Sequence, residues 1–358
     1  MRTLLQIAEL GNFKCLMGDC PDTCCKGWEI PVDSRTYNLW RDSSKTKGYL
    51  SKLRVVHEGN SHSTCFAKIK LDEKLSCSFL SADKLCTIHS NLGEDFLGHT
   101  CKSYPKELNT FWGMLERSMA LSCPEVANIV LNRTKPLNLE YVEEDLEPWI
   151  FREIAEPDIA FGPELIVKLY EVRTLCLSTA QDRTRSIRER LITLDNIVKK
   201  ANKPPSEICK LDQLAQDIYF EEIKKQLNNS DLEESTLNSA GALLSIFKPY
   251  VKENSFLKPL VEAPIITGKD SIHSILLEHI LFLLLFRSLF PFSSTNAIIS
   301  LNETKNILVL IATLLDNQVN LEKHRPINIE DKIVLIQKTM RILDHYEDLQ
   351  EKLKAYNL

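Results

Sequence analysis

Glycine is scarce in this chain. It supplies 11 of 358 residues, about 3 %, whereas the average share in proteins is about 7 %. Only Gly162, Gly241 and Gly268 follow residue 113. Tight turns that need a positive φ are therefore few. The later part of the chain is expected to consist of long helices joined by polar or proline-containing loops.

Long apolar runs and an excess of positive charge are also missing. The closest approach to a membrane span is Ile280–Phe286, far shorter than the roughly 18 residues that a span needs. The N-terminal apolar run is too short for a secretory signal and lacks a small-residue cleavage site. The 44 basic and 49 acidic residues give a net charge of −5, which attracts neither nucleic acid nor anionic lipid. We expect a cytoplasmic protein with no nucleic acid and no membrane as partner.

Several common cofactor motifs are absent. The sequence has no GxGxxG after a strand and no GxxxxGK[ST], so nothing supports a Rossmann or P-loop nucleotide site. It has no HExxH metalloprotease motif. The Cys-x3-Cys-x2-Cys spacing of typical radical enzymes that use S-adenosylmethionine is missing too, because Cys25 follows Cys24 directly.

Helical periodicity dominates the chain from Pro163 onward, where apolar residues recur at three- and four-residue spacing. The fold class is therefore predicted to be mostly α. An N-terminal cysteine-cluster domain is expected at residues 1–133 and a C-terminal all-helical domain at residues 163–358. The proline- and acid-rich residues 134–162 are interpreted as a connector with one short helix near Tyr141–Ile154. Further helices are predicted at Asp182–Lys200, Lys210–Leu227, Asp231–Val251, Ile272–Leu289, Glu303–Leu315 and Ile329–Ala355.

Two local patterns add to this outline. A helix is expected to open near Ser122, with Ser122 as its cap, Pro124 in its first turn and Glu125 at its positive end. The arginines between residues 183 and 190 alternate with acidic and apolar residues. A solvated helix face explains this alternation better than a phosphate site does.

Cysteine is the most informative residue type. Nine of the 11 cysteines lie in the first 123 residues. In a reducing compartment such a cluster indicates a metal site rather than a disulfide framework. Thiolates bind both zinc and iron–sulfur clusters, so the spacing does not decide between the two metals. The eight candidate ligands are Cys15, Cys20, Cys24, Cys25, Cys77, Cys86, Cys101 and Cys123.

Eight thiols exceed the four that one site requires. The sequence leaves open whether the chain has two sites, or one site together with structural or catalytic thiols. The other three cysteines, Cys65, Cys176 and Cys209, are interpreted as small buried apolar side chains. His89 and His99 flank the second group of cysteines. Each is a candidate ligand or proton carrier, or a histidine satisfied within its loop.

Three segments resemble the bacterial flagellin lysine-N-methylase family: FKCLMGDCPDTCCKGWEI, CSFLSADKLCTIHSNLGEDFLGHTCKSYPKE and SMALSCPE. The cysteine half also resembles a wider group of cysteine-cluster proteins considered to chelate zinc or iron. The resemblance is dense over residues 13–126, whereas the helical remainder fits the family only in character. It implies methyl transfer from S-adenosylmethionine to flagellin lysine side chains, dependent on a [4Fe–4S] cluster, with zinc as the alternative metal. It also implies that the eight cysteines named above are the candidate metal ligands.

A lysine methylase must present a neutral amine, although free lysine has a pKa of about 10.4. The site must therefore remove water from the amine or offer it a base. The candidate catalytic residues are Tyr104, His99 and Glu125, the polar groups attached to the cysteine strings. Tyr104 is the first choice for orienting the amine, and a core tyrosine bonded to the backbone is the equal alternative.

Two rival functions stay open at this stage. The cysteines alone would equally suit a non-enzymatic protein that binds or delivers zinc or iron. A helical interaction module with a purely structural zinc is the third reading. The colour of the purified protein separates these readings, because an iron–sulfur cluster absorbs visible light and zinc does not.

Overall fold

The computed structural model of the protein describes residues 1–56, 65–111, 114–145, 152–153, 163–201, 231–251, 254–265, 273–291, 297–322 and 327–356. Helices account for most of the regular structure in these residues, which confirms the mostly α prediction. All described strands lie before residue 154. The described residues from 163 onward form helices and connecting turns without a strand.

The strands are β1 (Arg2–Ile7), β2 (Pro31–Val32), β3 (Leu53–Val55), β4 (Ala67–Ile69), β5 (Lys106–Phe111), β6 (Met114–Met119), β7 (Leu139–Glu144) and β8 (Arg152–Glu153). Five of them form a sheet in the order β7-β1-β6-β5-β8. β1 runs parallel to β6 and antiparallel to β7, while β5 and β6 form an antiparallel hairpin. The other three form a small antiparallel sheet in the order β2-β4-β3.

The helices are α1 (Ser34–Asp42), α2 (Thr87–Leu92), α3 (His99–Ser103), α4 (Pro124–Leu131), α5 (Pro163–Ala180), α6 (Ile187–Ala201), α7 (Asp231–Phe247), α8 (Lys258–Glu262), α9 (Ser274–Arg287), α10 (Ala297–Leu321), α11 (Ile329–His345) and α12 (Glu347–Ala355). The helix expected at Ile329–Ala355 is divided in two at Tyr346. α4 does have Pro124 in its first turn, but its cap residue is Cys123 rather than Ser122. The helix predicted at Lys210–Leu227 lies outside the described residues.

In the connector predicted at residues 134–162, a short helix was expected near Tyr141–Ile154. The structure has the strand β7 there instead. β7 pairs along its whole length with β1, from Arg2 opposite Glu144 to Ile7 opposite Leu139. Strand pairing satisfies the backbone groups of this segment and adds an edge strand to the sheet. The expectation of a helix there was wrong for the residues that the structure describes.

Two main hydrophobic cores hold the described residues together, and a third cluster consists of only three buried residues, Leu4, Leu108 and Leu115. A small core lies around the three-stranded sheet and includes Trp40 and Phe79. A large core extends from Ile7 to Leu353 and joins the five-stranded sheet to the helices. Because the large core takes residues from both sides of the connector, packing alone marks no boundary there, and the boundaries at 133 and 163 stay predictions.

Two helices at the centre of the large core are unusually apolar. α9 is buried on every side from Leu276 to Phe286, as expected of a helix that is apolar all round. α10 has 25 residues, and its most apolar window of 18 residues has a mean hydropathy of 1.5, enough by length and composition to cross a membrane. The same properties suit a helix at the centre of a protein core, and 61 % of its most apolar window is buried here.

The arginines between 183 and 190 differ from the solvated face that was expected. Arg183 Nη2 lies 2.9 Å from Glu278 Oε1, and Arg190 Nη1 lies 3.0 Å from Glu278 Oε2. Glu278 is 1 % exposed and Arg190 is 3 % exposed. An apolar helix thus carries one buried carboxylate, which binds the turn between α5 and α6 to α9.

Candidate functional site

The described cysteines are all free thiols. Cys176 is fully buried in the large core, which confirms its interpretation as an apolar side chain. Cys65 is half-buried, and Cys209 lies outside the described residues. The eight candidate ligands fall into two sets of four. One set lies in the small core, and the other consists of three thiols from one loop together with Cys123.

The small-core thiols are Cys25, Cys77, Cys86 and Cys101, and all four pack in the small core. The backbone N–H of Cys77 donates to the carbonyl of Cys25 at 2.8 Å, which joins two distant segments. Burial raises the pKa of the Cys101 thiol, and Cys25, Cys77 and Cys86 raise it further. Cys77 and Cys86 likewise have pKa values raised first by burial and further by neighbouring thiols. The four sulfurs are therefore near neighbours in a poorly solvated region.

The loop thiols are Cys15, Cys20, Cys24 and Cys123. Cys123 is the cap residue of α4 and makes no side-chain hydrogen bond to the backbone of that helix. Burial raises the pKa of Cys123 to about 11, and nearby Cys20 and Cys15 contribute to the rise. Three of these thiols come from the cysteine loop, which we define as residues 15–28, and the fourth comes from a helix more than 90 residues later.

Cys24 and Cys25 connect the two sets. The Cys24 thiol hydrogen-bonds to Cys25, which raises the pKa of Cys24 and lowers that of Cys25 to about 7. Cys101 and Cys15 lie near enough to raise the Cys24 pKa as well. The Cys25 thiol is therefore the most readily ionised of this pair, and a thiolate is the form that binds metals.

α11 holds the cysteine loop through side chains spaced four residues apart, on one helix face. Gln337 Nε2 donates to Asp22 Oδ2 at 3.0 Å and to the Ser122 carbonyl at 2.7 Å. Arg341 donates to the carbonyls of Asp22, Thr23 and Lys26. The position of the loop thus depends on a helix more than 300 residues later.

His345 extends this face to the end of the loop. Its ring stacks on Trp28, with centroids 4.4 Å apart and planes 11° from parallel. The Trp28 indole N–H donates to the Cys24 carbonyl at 2.7 Å. Burial lowers the pKa of His345 to about 4, and the charges of Arg341 and Arg287 lower it further. His345 is therefore a neutral ring at pH 7.

The three predicted catalytic residues lie in different surroundings. Tyr104 donates to Ser122 Oγ at 3.2 Å, and burial raises its pKa, with the charge of nearby Cys123 contributing. His99 begins α3, its backbone N–H donates to Asp33 Oδ2 at 3.0 Å, and burial lowers its pKa. Glu125 lies in the first turn of α4. The structure brings Tyr104 and the backbone of Glu125 to Cys123, whereas His99 belongs to the small-core side.

Comparison with known proteins gives a family. The chain is 34 % identical over 134 residues to the flagellar biosynthetic protein FliU of Salmonella muenchen, a match covering 36 % of this chain and 78 % of that protein. The chain belongs to the flagellin lysine-N-methylase family. It is equally similar, over 134 residues, to the lysine-N-methylases of Salmonella choleraesuis (strain SC-B67) and Salmonella typhimurium (strain LT2). The match spans about a third of the length of these two enzymes. No family model and no solved structure matches the chain.

The lysine-N-methylase resemblance implies an iron–sulfur cluster. The two thiol sets can be compared with the ligands that such a cluster requires. The donor type fits, because each set offers four soft sulfur ligands. Among the described residues, however, no three thiol, imidazole or carboxylate groups are spaced to hold one metal ion. The thiols therefore fit a cluster in donor type, but not in the spacing that the structure shows.

Sequence reasoning missed the contribution of α11 to this candidate site. Gln337, Arg341 and His345 recur every four residues, and this polar stripe on an otherwise amphipathic helix was the available signal. A stripe of this kind indicates that the helix face contacts polar backbone, but not which segment it contacts.

Proposed function

We propose that the chain transfers methyl groups from S-adenosylmethionine to lysine side chains of flagellin in the cytoplasm. The observation that carries this proposal is the 34 % identity to proteins named lysine-N-methylase. The name of FliU as a flagellar biosynthetic protein supports a flagellar substrate. A reducing cytoplasm would keep the ten described cysteines as thiols.

The reaction needs a neutral lysine nitrogen. This nitrogen attacks the methyl carbon, the carbon–sulfur bond of the sulfonium breaks, and S-adenosylhomocysteine and one proton leave. Tyr104 stays protonated at neutral pH because its pKa is raised, so its oxygen can accept a hydrogen bond from the amine without carrying charge. His99 is neutral because burial lowers its pKa, which leaves an imidazole able to accept the proton. Glu125 is the third candidate for this role.

The small-core thiols are the set that we propose for a [4Fe–4S] cluster. They come from four separate segments of one core, and the pKa of Cys25 is lowered to about 7. A cluster held by three of these four thiols would supply an iron with an open coordination position for the amino and carboxylate groups of S-adenosylmethionine, whereas ligation by all four would leave no such position. The loop thiols then remain for a second metal, or as structural thiols, and zinc remains the alternative metal for either set.

The decisive experiment incubates anaerobically purified protein with methyl-labelled S-adenosylmethionine and purified flagellin. Methyl-lysine is then mapped by mass spectrometry. We expect label on flagellin lysines, and loss of both bound iron and label in Cys101→Ser. The control is Cys176→Ser, since Cys176 is a buried cysteine that lies in the large core, and this variant should retain both.

The competing function is metal binding without catalysis. It is favoured by the same four-thiol arrangement in the small core. Metal-loaded protein that leaves flagellin unlabelled would contradict methyl transfer and favour this second function. A colourless protein that holds zinc and still labels flagellin would retain the enzyme and remove the iron–sulfur cluster from the proposal.

A further inference from the structure

A cavity of about 290 Å³ lies between the end of α9, the first half of α10, the end of α11 and α12, with β5 forming one wall. The cavity contains none of the thiols, but α11 contacts both the cavity and the cysteine loop. Asp344 lines the cavity, and the next residue, His345, stacks on Trp28. The charge of Asp344 also contributes to the raised pKa of Tyr104. The cavity therefore adjoins the candidate site without containing any of its cysteines.

The cavity contains more negative than positive side chains. Its carboxylates are Glu107, Glu303 and Asp344, and its cations are Arg287 and Lys354. Arg287 is divided between two carboxylates: it makes two 2.7 Å bonds to Glu107 and one 2.6 Å bond to Asp344 Oδ1. Lys354 Nζ lies 3.8 Å from Glu303 and is about half exposed. One negative charge is left over when these five groups are ionised.

One acceptor in this cavity is unused. Oδ2 of Asp344 is buried and has no hydrogen-bond partner among the residues that the structure describes. The Asp344 side chain is only 10 % exposed. A buried carboxylate oxygen without a donor is costly. The cavity therefore offers a strong acceptor to a ligand that brings an N–H group and positive charge.

Apolar side chains form part of the remaining lining, beside the uncharged polar residues Asn109, Ser288, Ser300, Thr304 and Gln350. A compact cation on an aliphatic stem satisfies both parts of the lining, because the stem can contact the apolar wall while the ammonium donates to the carboxylate. A bare metal ion has no apolar part, so it would make no contact with the aliphatic side chains of the lining. The apolar lining consists of Leu284, Ile299, Ile307, Met340, Leu343 and Leu353.

We propose that this cavity binds a primary alkylammonium group through the free oxygen of Asp344, with Glu303 contributing negative charge. This inference rests on the proposed lysine methylation and deepens it: the occupant is the side chain of an acceptor lysine before its methylation. The amino group of the methyl donor has the same chemistry and is the other source to be distinguished.

The test is ligand-observed NMR titration of the full chain, with n-butylammonium as the probe and n-butanol as its uncharged analogue. We expect n-butylammonium and Nα-acetyl-lysine methylamide to bind and n-butanol not to bind. Asp344→Asn should weaken ammonium binding about tenfold or more, because it removes a charge-assisted hydrogen bond. Equal binding of n-butanol, or unchanged binding by Asp344→Asn, overturns the proposal.

Two further variants keep the test interpretable. Asp344→Asn also alters the bond to Arg287, so Glu303→Gln serves as a second variant whose partner Lys354 is near the surface. It too should weaken ammonium binding. Asp348→Asn is the control, since this exposed carboxylate on α12 binds Tyr250 and Lys352 outside the cavity. Circular dichroism confirms the fold of each variant. Loss of binding in Asp348→Asn would overturn the assignment.

Two outcomes separate the sources and the proposals. Displacement of n-butylammonium by S-adenosylhomocysteine would assign the cavity to the amino group of the methyl donor and overturn the lysine assignment. Asp344-dependent binding that S-adenosylhomocysteine leaves intact supports the lysine assignment. If flagellin is never labelled while ammonium binding still depends on Asp344, the proposed function fails and the ammonium site stands.

Discussion

The two cores of this chain are built in opposite ways. The small core relies on strands of two or three residues and helices α2 and α3 of six and five residues. The large core packs helices of up to 25 residues around α9, which is buried all round. Long helices bury enough apolar surface to be held by packing alone. Short elements bury little surface each, and they need additional links between them.

The small core has such additional links between its short elements. In the small core, hydrogen bonds join distant segments: the Trp40 indole N–H donates to the Phe96 carbonyl at 2.9 Å, and the backbone N–H of Cys77 donates to the Cys25 carbonyl. Four free thiols occupy the same core. A metal held by those thiols would connect segments that packing connects only weakly. The large core contains two buried cysteines, Cys123 and Cys176, and Cys176 is one apolar side chain among many.

Removing a metal held by the small-core thiols should therefore have the largest effect on folding. Only the small core should unfold. Chelation of iron or zinc from the purified protein is expected to unfold the small core, because structural metal sites contribute on the order of 10 kcal/mol to folding. Hydrogen exchange should accelerate in β4 and α3 and stay slow in α9 and α10. Unchanged protection of β4 after complete metal loss would show that packing alone holds the small core.

The buried ion pair of the large core should give the next largest effect. Glu278→Ala leaves the buried Arg190 without its carboxylate partner and removes a partner of Arg183. The free energy of unfolding should fall by about 3–5 kcal/mol, as measured by urea denaturation. The control is Glu262→Ala, whose partner Lys248 lies 3.9 Å away at the surface, and it should cost at most about 1 kcal/mol. Equal losses in the two variants would mean that burial does not determine the cost.

The fold of the large core was largely predictable from the sequence. Apolar spacing located α6, α7, α9 and α10, because a helix that packs on one face records that face in its sequence. The strand β7 was missed, since its alternating residues Glu140 to Glu144 are mostly charged or exposed. β7 is an edge strand, and its partner β1 supplies the buried side chains of that pair. Periodicity in one segment cannot reveal a partner elsewhere in the chain.

The candidate site was predictable in its residues but not in its arrangement. Cysteine spacing identified eight thiols, because short strings of one residue type are visible locally. Their division into small-core and loop thiols depends on contacts between segments as distant as Cys20 and Cys123. Arg341 bonds to the cysteine loop and Asp344 lines the cavity. Both residues lie on α11, far along the chain from that loop. Such contacts follow from helix packing, which the sequence specifies only collectively.

Acid should weaken the contact between α11 and the cysteine loop. His345 has a pKa of about 4 in the folded protein, below the usual value of about 6.5 for an unfolded chain. Its contribution is complete above about pH 6.5 and is lost as the pH falls toward about 4, because the unfolded state takes up the proton first. The loss is at most about 3 kcal/mol. Urea denaturation at pH 7.5 and 4.5 measures it.

His345→Phe isolates this effect from the carboxylates that also titrate in this range. Phenylalanine keeps a ring against Trp28 and removes the titrating nitrogen, so the variant should lose less stability between pH 7.5 and 4.5 than the parent does. Arg341, Arg287 and Asp22 remain as the charged neighbours in both proteins. His89→Gln, at an exposed position, should behave like the parent. Identical acid sensitivity of His345→Phe and the parent would show that this ring does not couple pH to stability.

The smallest effect is expected at the surface of the small sheet. Glu29 lies 2.5 Å from Arg54 on β3 and 3.0 Å from Lys68 on β4, and all three side chains are about a third or more exposed. Glu29→Gln should therefore cost at most about 1 kcal/mol. The cost should vanish in 1 M NaCl, where the screening length is about 3 Å. Hydrogen exchange in β4 at low and high salt measures it. A cost above 2 kcal/mol that persists in salt would mean that surface charge, rather than thiol-bound metal, links the short strands of this core.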